Sequence, residues 1–290
     1  MRSLQDLIKL AEEHGMGLHE IIMTVDSEAT GVPTNEIYNL MLSRLKDMRR
    51  STEEASRNPN PCKLVPNTGV LIREYSKGAG MCGGFLLKAS AIALEVASYN
   101  ASMGRIVAAP TAGSCGILPG MLFSWEEFYG KGMSDLDRKL TEALIVAGAV
   151  GEIIANRATL AGAEGGCQAE CGAAAAMGSA ALVYLQGGKC EAVSNAVALT
   201  LKSVLGLVCD PVGGLVESPC IKRNGILLAV GVLAADMALA GVVSLIPADE
   251  VIDAMGQIGK SMPASLRETS RGGLAVTPTA KRLSKELNLQ

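Results

Sequence analysis

The sequence predicts an all-α protein, a large bundle-like helical domain with small-residue-rich buried helices and irregular Gly/Pro/Cys loops. Apolar residues recur at helical spacing along most of the 290 residues. Val, Ile and Thr do not alternate in bounded runs, and no parallel β-α-β rhythm appears. Hydrophobic residues make up 49% of the chain but aromatics only 3%, with 33 glycines, so the helices are expected to meet through small side chains. A chain of this length can bury a large core. One domain is expected over 1–290, with a polar helical segment at about 1–60.

In chain order, a short helix is expected at about 3–14, where apolar and charged residues alternate at helical spacing, followed by a loop. A second helix spans about 35–56, capped by Thr34 or Asn35, with Ile37, Leu40, Met41, Leu45 and Met48 on one face. The segment Asn58-Pro-Asn-Pro-Cys62 ends it, because proline removes backbone donors. Residues 78–124 then hold only three charged side chains, Lys88, Glu95 and Arg105, and carry helices at about 84–102 and 118–129. Ser134 followed by Asp137 reads as a capping box for a helix to about 161. Further helices are expected at about 168–186, 189–206, 223–246 and 248–259.

Net charge is −3 and the isoelectric point near 5.6, which leaves no footprint for nucleic acid. Residues 1–14 lack the uninterrupted apolar run of a secretory signal, so a cytoplasmic protein with reduced thiols is expected. Residues 225–246 form an apolar run of membrane-spanning length, broken only by Asp236. A charge at that depth is costly in lipid, and the run equally suits the buried centre of a soluble bundle.

The chemistry lies with the cysteines. Cys209 and Cys220 bracket a segment in which Pro211, Pro219 and Gly213–Gly214 rule out regular structure. Cys167 sits in a second small-residue loop, Glu-Gly-Gly-Cys-Gln-Ala-Glu-Cys-Gly. Thiols on separated irregular loops suit a metal or iron–sulfur site better than a core. Cys190, beginning an apolar helical stretch, reads as packing. Neither C-x₂-C-x₂-C nor the paired C-x₂-C of zinc ribbons is present, so spacing alone does not name the metal. Cys62, Cys82, Cys115 and Cys171 receive no role. Loops at 78–84, 111–116 and 165–172 each precede an apolar helical stretch, where free amides favour anions. Together they suggest a convergent site for a small carboxylate.

Glu-Gly-Gly-Cys167-Gln, Cys209-Asp-Pro-Val-Gly-Gly-Leu-Val with Pro219-Cys220-Ile, and Pro110-Thr-Ala-Gly-Ser-Cys-Gly-Ile-Leu-Pro119 resemble the iron–sulfur-dependent bacterial L-serine dehydratases. The likeness extends over roughly 60–285 and matches the alpha subunit of the two-subunit type. It implies a 4Fe–4S cluster held by Cys167, Cys209 and Cys220, deamination of L-serine to pyruvate and ammonia, and a beta-subunit partner. It also implies that a Ser-Ser-His segment belongs to that partner. In some single-chain relatives the family likeness includes a C-terminal cysteine, whereas this sequence ends Asn-Leu-Gln290.

In such a cluster an iron lacking a protein thiolate would supply a Lewis acid for the serine hydroxyl, a poor leaving group otherwise. The proton acceptor is less legible. His14 and His19 lie in the charged N-terminal region and read as solvated. Lys77 is the candidate base or carboxylate partner within the chain. Ser76, Thr111, Gly113 and Ser114 are the candidates for holding the substrate carboxylate. Two other readings compete: a zinc-stabilised helical binding module using the same thiols, and a membrane-embedded helical protein resting on 225–246.

Overall fold

In the computed structural model, which describes residues 1, 3–58, 62–78 and 80–289, the chain is all-α, with no β-strand among the described residues. Its helices are α1 (Leu4–His14), α2 (Leu18–Thr30), α3 (Thr34–Arg57), α4 (Thr68–Tyr75), α5 (Gly83–Ala101), α6 (Ile117–Tyr129) and α7 (Leu136–Arg157). They continue with α8 (Gly162–Gly165), α9 (Ala173–Leu185), α10 (Cys190–Lys202), α11 (Cys220–Leu239), α12 (Ala248–Ser261) and α13 (Pro278–Glu286). Pro59 and Pro61, read as the terminator of the second helix, lie outside the described residues, as does Ala79 of the first small-residue loop.

The centre is α9, whose Ala-Ala-Ala-Ala-Met-Gly-Ser-Ala-Ala stretch is wholly buried against α6, α7, α10 and α11. Small side chains let backbones approach. A Cβ on Gly231 of α11 would stand 2.6 Å from the Ala175 carbonyl of α9. One on Gly116, at the start of α6, would collide with the Ala93 carbonyl of α5. The core is therefore closed to larger residues at its helix crossings.

The N-terminal helices pack on this core by narrower apolar faces. In α1, Leu4, Leu7, Ile8 and Ala11 are buried. Buried Asp249 of α12 accepts from Leu4 N at 2.9 Å and Ser3 Oγ at 2.9 Å, covering free donors at the start of α1. Along α3 the buried face centres on Leu45 and Met48, whereas Leu40 is 60% exposed.

Several boundaries differ from the sequence expectation. The loop expected after α1 contains α2, set between Gly15 and Gly31 at positive φ. Leu18, Ile21 and Ile22 of α2 are buried and Val25 packs beside them, an i, i+3, i+4, i+7 apolar period that the sequence reading passed over. Asp135, not Ser134, precedes α7, no side chain caps it, and the helix ends at Arg157. The apolar run 225–246 does not form one helix, because α11 stops at Leu239 and Gly241 takes φ 91°. No helix among the described residues is long and apolar enough to cross a membrane.

Candidate metal and substrate site

Four segments meet at one cavity of about 600 Å³. Residues 162–172 contribute Ala163, Cys167, Glu170 and Cys171. The segment 209–220 contributes Cys209, Pro211, Gly214, Val216 and Cys220, and the turn 112–114 contributes Ala112 and Gly113. The fourth segment is an irregular strap at 264–276 that brings Arg267, Glu268 and Thr269.

Local structure explains the convergence. Cys167 precedes a π-helical turn, Gln168–Gly172, a geometry that widens the helix and is frequent at functional sites. Buried Gln168 anchors that turn, accepting from Gly206 N at 2.9 Å and donating to the Met255 carbonyl at 3.1 Å. Cys220 opens α11, whose Asn224 donates to the Cys220 carbonyl at 3.0 Å and the Gly113 carbonyl at 2.8 Å and accepts from Gly116 N at 3.0 Å. One buried amide side chain thus joins the 111–116 loop to the cysteine helix. The peptide bonds before Pro110 and Pro219 are cis.

Backbone bonds hold Cys209 to the strap. Its N–H donates to Leu266 O at 2.9 Å, and its carbonyl accepts from Glu268 N at 2.7 Å. Next to it, buried Asp210 accepts from Arg223 Nη2 at 2.9 Å and Leu274 N at 2.8 Å. Buried Glu217 accepts from Lys63 N at 3.1 Å and Leu64 N at 2.6 Å, fixing the other end of the segment.

The thiols differ electrostatically. Burial, with Glu170 and Cys167 nearby, pushes the Cys209 thiol up. Burial and Cys167 push Cys220 up to about 12. The hydrogen bond from Cys171 holds Cys167 below the ordinary thiol value, and Arg223 adds to this. Burial also raises the Glu170 carboxyl, opposed by its hydrogen bond from Thr111. Such a donor set favours a bound cationic group, which would displace protons from thiols otherwise kept neutral by desolvation.

No group of three or more His, Cys, Asp or Glu side chains among the described residues converges closely enough for a single metal ion. A tetrahedral zinc site, with thiolates about 2.3 Å from the metal, is therefore not preformed. Four cysteines, Cys171 beside the three expected ligands, line a cavity of about 600 Å³; this sulfur-rich lining suits a larger sulfur-ligated group, and the residues fit an iron–sulfur cluster.

The other sequence candidates are placed as follows. Gly113 lines the cavity. Ser114 is fully buried and pairs with Thr111 at 3.1 Å, and Thr111 donates to Glu170 Oε1 at 2.9 Å. A carboxylate of the chain itself thus occupies the hydroxyl expected to receive the substrate carboxylate. Ser76 donates to Arg73 O at 2.8 Å, and Lys77 is exposed and paired with Glu74 at 2.5 Å; neither lines the cavity. His14 is exposed, but His19 is not solvated as expected: its ring meets Tyr184 Oη at 2.8 Å. Cys190 is half-buried at the start of α10.

The sequence reading passed over Glu170 and the strap residues. Glu170 carried a usable signal, a carboxylate between two cysteines in a loop of small residues. Arg267 and Glu268 carried none, since backbone pairing brings them to the cavity from 58 or more residues beyond Cys209.

The sequence model of the family described as "Serine dehydratase alpha chain" matches residues 13–275. The chain is 41% identical over 288 residues to the probable L-serine dehydratase alpha chain of Bacillus subtilis, covering 99% of this chain and 95% of that one. It is 39% identical over 290 residues to the L-serine dehydratase alpha chain of Peptoniphilus asaccharolyticus, covering 99% and 98%. L-serine dehydratase 1 of Escherichia coli is 45% identical over 188 residues, 63% of this chain but 40% of that protein. The chain belongs to the serine dehydratase alpha chain family.

Proposed function

We propose that this chain is the catalytic alpha subunit of an L-serine dehydratase, a carbon–nitrogen lyase that converts L-serine to pyruvate and ammonia in the cytoplasm. The observation that carries the reading is the meeting of Cys167, Cys209 and Cys220 at one cavity, in a chain of this family. These three residues would hold a 4Fe–4S cluster. When bound, the cluster supplies a Lewis acid for the departing hydroxyl.

Serine loses its α-proton and β-hydroxide to give aminoacrylate, which tautomerises and hydrolyses, so the water eliminated is balanced by the water consumed. The chain's own residues position and enclose the substrate. Gly113 leaves room beside the backbone, since a Cβ there would approach Glu170 Oε1 to 3.3 Å. Thr111 fixes the Glu170 carboxylate at the cavity wall. Neither histidine nor Lys77 lines the cavity, which favours a proton acceptor from a beta subunit. The relatives named "alpha chain" and the longer Escherichia coli enzyme support such a partner.

The test is anaerobic purification of this chain with and without its beta chain, followed by assay of pyruvate formed from L-serine. Activity is expected only from the cluster-loaded pair. Serine turnover by the cluster-loaded chain alone would remove the partner from the chemistry. A loaded pair inactive on L-serine would overturn the assignment.

A further inference from the structure

We propose that Arg267 is the substrate-carboxylate anchor of the cavity, giving the site its demand for a free α-carboxylate. The proposal rests on the reading of the cavity as an amino-acid site. Arg267 is the only cationic side chain among the described residues lining it. Its Nε is buried without a hydrogen-bond partner, and Nη1 reaches the Glu164 carbonyl at a long 3.4 Å. A buried guanidinium donor left open costs free energy unless an acceptor arrives. The other two such side-chain atoms among the described residues, Ser98 Oγ and Trp125 Nε1, do not line the cavity.

Charge complementarity points the same way. Glu170 and Glu268 also line the cavity. An α-amino acid zwitterion brings one anion and one cation. Its ammonium suits the carboxylates, and its carboxylate suits the planar fork of Arg267. The turn at 111–114 is the poorer anchor because Glu170 already occupies the Thr111 hydroxyl and would repel a second carboxylate.

The strap is built to hold this arginine. Glu268 and Ser270 adopt φ of 62° and 54°, the left-handed region that non-glycine residues enter at a cost. Bonds from Glu268 N to Cys209 O (2.7 Å), Ser270 Oγ to Pro211 O (2.7 Å) and Thr269 Oγ1 to Ala264 O (2.9 Å) over-determine that conformation. Unfavoured backbone fixed by several bonds beside a cavity marks a positioned side chain rather than a slack surface loop.

The experiment uses the anaerobically assembled enzyme with its beta chain, as wild type, Arg267→Met and Arg267→Lys. Turnover is measured with L-serine and with L-serinamide, which lacks the carboxylate charge. Calorimetry measures binding of unreactive L-alanine and L-alaninamide, and cluster absorbance and melting temperature report integrity. Arg267→Met is expected to lower kcat/KM for L-serine by roughly a hundredfold or more while changing that for L-serinamide by less than about threefold. It should also abolish the preference for L-alanine over L-alaninamide with the cluster spectrum intact. Arg267→Lys should fall between, keeping the charge but not the fork. Equal losses on serine and serinamide, or no loss on either, would overturn the anchor while leaving serine deamination in place. A wild type inactive on L-serine that binds L-alanine through Arg267 would overturn the reaction and keep the anchor. A wild type that does not prefer L-alanine to L-alaninamide would overturn the anchor.

Discussion

Cys167 reaches the cavity from a wall of packed helices, whereas Cys209 reaches it from a wall of tied loops. Behind Cys167 stand the π-helical turn and α9, whose small residues interlock with their neighbours. Behind Cys209 stand Asp210, Glu217 and the strap, joined by hydrogen bonds to carboxylates and carbonyls. The thiols register the difference: a neighbouring sulfhydryl lowers Cys167, while burial raises Cys209. Packing is expected to keep the first wall in place whatever the cavity holds. The second wall depends on a few polar groups, each costly to remove.

The largest expected effect comes from removing the three proposed cluster ligands. Cys167→Ala, Cys209→Ala and Cys220→Ala should each abolish the cluster absorbance and lower serine turnover by more than about a thousandfold, the scale of losing an essential catalytic group. Far-UV circular dichroism should stay unchanged, because the helical wall does not rest on the cavity. Full iron content in anaerobically reconstituted Cys209→Ala would break the comparison.

Next come the packing positions. Gly231→Val should destabilise the chain by about 3 kcal/mol or more, since its Cβ would stand 2.6 Å from a backbone carbonyl. Denaturant titration measures this, and a midpoint near that of the wild type would show that the helical wall yields. Asp210→Ala is expected to cost about 3 kcal/mol, because it leaves Arg223 without its buried partner. The loss should appear first as proteolysis within 264–276 while α9 remains intact. Cleavage spread evenly over the chain would merge the two walls into one unit.

Removing the cluster by chelation and air should abolish activity but leave the helical content in place; loss of helicity would show that the core depends on the cluster. The smallest effects belong to residues away from the cavity. Lys77→Ala should change stability by less than about 0.5 kcal/mol, the usual range for surface substitutions, and half-buried Cys190→Ala by about 1 kcal/mol or less with serine turnover unchanged. Lys77 holds only an exposed ion pair with Glu74. A tenfold fall in kcat/KM for Lys77→Ala would return that residue to the site.

The difference between the walls also decides what the sequence could reveal. The helical wall was legible because apolar spacing and small residues repeat over many positions, which placed α5, α6, α9 and α10 within a few residues except where the π-helical turn replaces the first turn of α9. The irregular segment after Cys209 was legible from Pro211, Pro219 and the glycine pair, but Cys220 closes it as the first residue of α11, three residues before the expected helix start. The strap was not, because Arg-Glu-Thr-Ser-Arg-Gly-Gly has no apolar period and its place depends on pairing with Cys209, distant in sequence. Helix α2 was missed although Leu18, Ile21, Ile22 and Val25 follow helical spacing, because that period covers only its first two turns. His19 was misplaced because its partner Tyr184 lies 165 positions away.

The two strap amides given to the cysteine segment, Glu268 N–H to Cys209 and Leu274 N–H to Asp210, also make isotope exchange a gauge of that segment. Each proton is shielded only while the strap lies against 209–210, so its exchange rate measures how often the contact opens. The gauge needs no optical signal, so it reads the chain equally with and without the proposed cluster. It would show whether the cavity keeps its shape when the proposed cluster is removed and restored.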